Sequence, residues 1–174
     1  MKKRWIILSL LLILFLPIIP EAFSEETQTI LFHLKTGLKH DDAQICVAYN
    51  EIWAALEEGL KVNVLIDADA TNTFKIGWFG KDDIQEYKLP ERLRKGLATQ
   101  FEVPLEQVPE TYGAYLEMLN QKGAQFYINS AFLVLAKIEE QMGTVENVSA
   151  KFFQPITLKN MLKLRTTADY YLVY

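Results

Sequence analysis

Lys122-Gly123-Ala124-Gln125-Phe126-Tyr127-Ile128-Asn129-Ser130 decides how this chain folds. It reads as the end of a helix, a glycine stop, a buried strand and the cap of a following helix. Elements alternating over so short a stretch belong to an open α/β sheet, which places ligands and reactive groups at the carboxyl ends of its strands. Here that position holds Asn129 and Ser130.

Toward the amino terminus, Tyr112, Tyr115, Leu116 and Leu119 recur at helical spacing and predict a helix over 110–122. Residues 29–36, TILFHLKT, predict a first strand, broken by Gly37. Asp41 or Asp42 then caps a helix to about Glu58, with Ile45, Ala48, Ile52, Ala55 and Leu56 on one face and Gly59 as the stop. Residues 62–66 predict a second strand, ending at Asp67-Ala68-Asp69. Strand, helix and strand with short joints form a right-handed unit and imply a parallel pair.

Toward the carboxyl terminus, Ser130 opens a helix expected to reach about Met142. Val148, Ala150 and Phe152 alternate as a fourth strand over 148–153. Thr157 caps a last helix, with Ile156 and Met161 spaced as a hydrophobic staple, and 170–174 closes as a strand. Over 71–109 the pattern loosens, with a short strand expected at 74–79 and a short helix at 90–101. Pro90, Pro104 and Pro109 punctuate that stretch, which reads as an excursion beyond the strand ends, without a core of its own. The expected fold is a three-layer α/β/α sandwich around a mainly parallel sheet of about five strands.

The chain has 174 residues, enough for one domain with a real core, and 50% of them are hydrophobic. Its net charge is −4, and no basic block follows residue 4, so it lacks the footprint of a nucleic-acid binder. Lys2, Lys3 and Arg4 precede an apolar run from Trp5 to Leu16, and Ala22-Phe23-Ser24 supplies small residues before Glu25. This is the layout of a secretory signal peptide over 1–24, cut between Ser24 and Glu25, leaving 25–174 as a periplasmic or secreted domain. The run is short for a membrane span of about 20 residues. An uncleaved anchor is the alternative, and would be the chain's one membrane contact. The single cysteine, Cys46, excludes an internal disulfide.

Several stretches, in order, resemble the DsrE/DsrF-like family, which includes sulfur-relay subunits of the TusD type. They are the strand at 30–36 with Gly37, the helix end Ala54-Ala55-Leu56-Glu57-Glu58-Gly59, and the strand at 62–67. Next come Met118-Leu119-Asn120-Gln121-Lys122-Gly123-Ala124 leading into Phe126-Tyr127-Ile128. Ile156-Thr157-Leu158 before a terminal helix and the strand at 169–174 completes the set. The resemblance covers the whole of 25–174 and implies a parallel sheet between helices and a homo-oligomer, or a hetero-oligomer with related subunits. Sulfur-carrying members place a cysteine at the end of the strand after the glycine turn, and here that position falls at Asn129. A carrier thiolate attacks sulfane sulfur and holds a persulfide, which an amide cannot do.

Cys46, on the first helix, has no positive charge three or four residues away and reads as a packed thiol; it is the only candidate for a displaced carrier. Thr36, Gly37, His40, Asp67, Asp69, Asn129 and Ser130 are expected at the strand ends and form the candidate ligand site. The acidic residues with His40 suggest a divalent metal, but a calcium loop counted from Asp67 puts Asn72 at the glycine position and Trp78 at the glutamate position. That pattern fails. His33 reads as a packed or edge histidine, and two histidines with one cysteine supply no zinc spacing. Trp78, Phe79 and Tyr87 suggest either an exposed aromatic contact patch or side chains folded back over the sheet's end. No phosphate loop or nucleophile elbow is present, and no cofactor is implied. The expectation is an exported DsrE-like binding or assembly module without the carrier cysteine. The alternatives are a sulfane-sulfur carrier at Cys46 and a small-ligand or metal binder at the strand ends.

Overall fold

The structure, a computed structural model, describes residues 27–77, 80 and 83–174. Residues 1–24, where a signal segment is expected, and the aromatic residues Trp78 and Phe79 lie outside the described residues. Five strands, β1 (Thr29–Leu34), β2 (Lys61–Ile66), β3 (Gln125–Asn129), β4 (Gln154–Ile156) and β5 (Tyr170–Val173), form one sheet in the order β4-β3-β2-β1-β5. Every neighbouring pair is parallel. Six helices accompany them: α1 (Asp42–Glu57), α2 (Asp83–Glu86), α3 (Glu91–Gln100), α4 (Tyr112–Gln121), α5 (Ser130–Leu135) and α6 (Leu158–Thr167). This is the three-layer α/β/α sandwich that the alternating pattern predicts.

The connections decide which face each helix covers. From β1 through β4 the chain steps in one direction across the sheet, so right-handed crossovers deliver α1 to α5 to the same face. The step from β4 to β5 runs back past the whole sheet and delivers α6 to the other face. The core divides accordingly. Ile30, Phe32, Val62, Val64, Phe126 and Ile128 pack on the face of α1 and α4, where Trp53 stacks on Phe101 with ring centroids 3.9 Å apart. Leu31, Leu65, Ile156 and Met161 form a smaller core under α6. Ile156 and Met161, spaced as a staple around the Thr157 cap, thus both belong to the α6 core.

Several boundaries correct the expectations. Over 74–77, the described part of the strand expected at 74–79, Phe74 ends a 3-10 turn, Ala68–Phe74, and Lys75 forms an isolated antiparallel bridge to Val148. The fourth strand is Gln154–Ile156, beyond the expected 148–153. The alternation there was real burial of Val148 and Ala150, but on a loop packed under the excursion. The helix expected to reach Met142 stops at Leu135. Among the described residues, no helix is long and apolar enough to cross a membrane.

Candidate functional site

The carboxyl ends of β1, β2 and β3 converge on Asp67, the first residue after β2. Asp67 Oδ1 accepts hydrogen bonds from Asn129 Nδ2 at 2.7 Å and from its neighbour Ala68 N–H at 2.7 Å. Oδ2 accepts from His33 Nε2 at 3.2 Å and from an Arg165 terminal nitrogen at 3.5 Å. The bond from His33 above all, then those from Asn129 and Ala68, hold the carboxyl well below the usual carboxylate range, outweighing its partial burial. His33 lies inside β1, 2% exposed, and its Nδ1 meets the Tyr171 hydroxyl of β5 at 2.7 Å. The two partners set the neutral ring's tautomer: Nε2–H donates to the carboxylate and Nδ1 accepts from the phenol.

Asn129 is 6% exposed, and both the oxygen and the nitrogen of its amide are engaged. Its Oδ1 caps α5 by accepting from Ala131 N–H (3.0 Å) and Phe132 N–H (3.1 Å), while its amide nitrogen holds Asp67. Ser130, buried next to it, turns the other way: its Oγ accepts from Gly143 N–H at 2.7 Å and pins the loop after α5.

A second cluster lies at the same end, two residues further on. Asp69 Oδ2 accepts from Gly37 N–H at 2.9 Å and meets His40 Nδ1 at 2.5 Å, and its Oδ1 accepts from Asn72 Nδ2 at 3.0 Å. Desolvation opposes ionisation of Asp69, but the bonds from Asn72, His40 and Gly37 together keep its carboxyl below the ordinary range. A β-carbon at Gly37 would stand 2.4 Å from Asp69 Oδ2, so any other residue there would push the carboxylate off its bond to the residue 37 N–H. Gly37, Leu38, Lys39, His40, Asp69, Asn72 and Thr73 line an open cleft of about 230 Å³. Thr36, half-buried, does not line it.

The expected site residues therefore fall into two groups. Asp67 and Asn129 join the inner network, Gly37, His40 and Asp69 the outer cleft, and Ser130 serves the fold. Sequence reasoning placed His33 in the packing and passed over Arg165 and Tyr171. The signal for His33 was present, since residues 33, 65 and 67 share one face when β1 and β2 pair in register. Among the described residues, no three histidine, cysteine, aspartate or glutamate side chains come together to hold a metal ion.

Cys46 sits one turn into α1, half-buried, with Asn50 Nδ2 at 3.6 Å from its sulfur. Burial pushes its thiol up, against weaker opposition from Asn50 and Tyr112, and the nearby Asp42 charge adds to the rise. The thiolate is thus disfavoured at neutral pH.

No family model matches the chain, and no curated protein does either. Among solved structures it is similar to the ychN protein from E. coli, at 11% identity and a TM-score of 0.54, over 86% of this chain and 100% of that one. The likeness lies in the fold, a DsrE/DsrF-like one, and supports at that level the resemblance read from the sequence.

Proposed function

We propose that this chain is an exported DsrE-like binding or assembly module, allied to sulfur metabolism by its family, that does not carry sulfur on a thiol. The observation that carries the reading is Asn129. At the position the family resemblance assigns to the carrier cysteine stands an amide whose oxygen and nitrogen are both committed, to the α5 cap and to Asp67. A buried side chain so engaged builds the strand end and is not available for transfer chemistry. Cys46 is no substitute, since its half-buried thiol resists ionisation. Export rests on the charged, apolar and small-residue sequence of 1–24. Assembly is favoured by β5, an edge strand whose Tyr170, Tyr171, Leu172 and Val173 are all exposed and apolar, with no lysine or proline among them to discourage pairing.

The test is the intact mass of folded 25–174 after exposure to thiosulfate, polysulfide and a persulfide donor, beside a Cys46→Ser control. The expected result is no sulfur adduct on either protein. A sulfur adduct that disappears in Cys46→Ser would overturn the reading and install the first helix as a carrier site.

A further inference from the structure

The Tyr171–His33–Asp67 chain has the connectivity of a nucleophile, its base and the group that orients the base. The hydroxyl of a part-exposed tyrosine bonds one ring nitrogen of a buried histidine, and the other ring nitrogen donates to a carboxylate. Each part meets the requirement of its role. His33 is locked in the sheet and its ring stacks against Tyr171 at 6.0 Å between centroids. Asp67 is kept ionised by donors on both oxygens, so a negative charge stands ready beside the imidazole. Tyr171 is 44% exposed on the edge strand, within reach of a molecule in solution. The three residues come from β1, the end of β2 and β5, and meet at the carboxyl-terminal part of the sheet.

We propose that Tyr171 is an activated phenol nucleophile, with His33 as its proton acceptor and Asp67 as the positioning residue, for substrates of the activated acyl class. The step balances without an oxidant or a further reagent. Tyr171 Oη bonds to the acyl carbon as its proton passes to His33 Nδ1. The bond from that carbon to the leaving group then breaks, and the leaving group departs with the proton that Nδ1 returns. The imidazolium formed in between is balanced by the Asp67 carboxylate. The products are an acyl-tyrosine and the protonated leaving group. This goes beyond the binding-module reading and does not rest on it, since no thiol or sulfur donor takes part; it concerns the chain with β5 uncovered, not one paired along that edge.

Tyr170, adjacent on β5 and 48% exposed, is a built-in control of near-equal access whose hydroxyl, among the described residues, bonds Gln28 Oε1 at 3.3 Å. The experiment is a time course of acetylation of 25–174 by N-acetylimidazole, with each site quantified by peptide mass spectrometry. Tyr171 is expected to be acetylated at least about tenfold faster than Tyr170, a modest share of what a positioned base supplies. In His33→Gln and Asp67→Asn, checked for folding by circular dichroism, the ratio is expected to fall to about one. A wild-type ratio within twofold of one, or below one, overturns the proposal whether or not the variants fold. So does a folded His33→Gln that keeps the wild-type ratio, because the histidine would then be packing alone.

Discussion

Asp67 collects four donors from four parts of the chain, and its charge is the reason they hold their places. Removing that charge leaves buried donors on His33 and Asn129 with a weakened partner, so Asp67→Asn should cost about 1–3 kcal/mol in urea unfolding at neutral pH. The sign with pH follows from the direction of the shift. The folded carboxyl is held below its ordinary value near 3.8, so its contribution is fully present above that value and is lost as pH falls through the folded value. Wild type should therefore lose stability more steeply than Asp67→Asn on acidification below about pH 4. Equal slopes for the two proteins would show that the network adds nothing. At this scale the sequence marked Asp67 and Asn129 through their place at strand ends. Arg165 and Tyr171 carried no local signal, since a surface arginine and a strand tyrosine look the same with or without a partner across the fold.

α5 shows how a short element depends on its cap. Its six residues begin at the Asn129 side chain, which satisfies two of the amide groups that a helix start leaves open. The helix expected to reach about Met142 does not continue, because Leu135 and Met142 are exposed and the chain turns at Lys137 with φ of 56°. What replaces the helix is the buried carboxylate of Glu139, which accepts from Asn147 N–H at 2.6 Å and Thr144 Oγ1 at 2.9 Å and closes the loop on itself. Tertiary contacts set the helix end there. Asn129→Ala should lower stability by about 1–3 kcal/mol, through the lost cap and the loss of one of the two donors on Asp67 Oδ1. Asn129→Asp keeps a capping oxygen but sets a carboxylate against Asp67. It should be destabilised at pH 7 and approach wild type as acid neutralises one of the pair, in thermal melts between pH 7 and 4. A constant deficit across that range would mean that the two side chains do not interact.

The whole molecule is asymmetric about its sheet. Among the described residues, one face is covered by α1 and α4 with the smaller helices of the excursion, the other by α6. At the margin of the α6 face β5, paired among the described residues with β1 alone, shows apolar side chains to solvent, while Leu158 and Leu162 are exposed on α6 itself. If this margin is where copies or related subunits meet, sedimentation velocity of 25–174 should show association, and Leu172→Lys should reduce it by placing a charge on the edge. A wild-type protein that stays monomeric at high micromolar concentration would remove β5 from the assembly reading.

By itself the sequence determined the class of fold, the ends of α1 and α4 before Gly59 and Gly123, the Thr157 cap, and the polar strand ends at Asp67, Asp69 and Asn129. These depend on short-range spacing and on residue types with strong local preferences. It also carried the family resemblance, which the fold supports. The tertiary structure decided which polar residues meet. β5 lies beside β1 although nearly the whole described chain separates them, and only that pairing sets Tyr171 on His33. α6 crosses to the far face only because the strand order reverses, and only then does Arg165 reach Asp67. A network assembled across such separations has no period to read, because its geometry is written in the order of the strands.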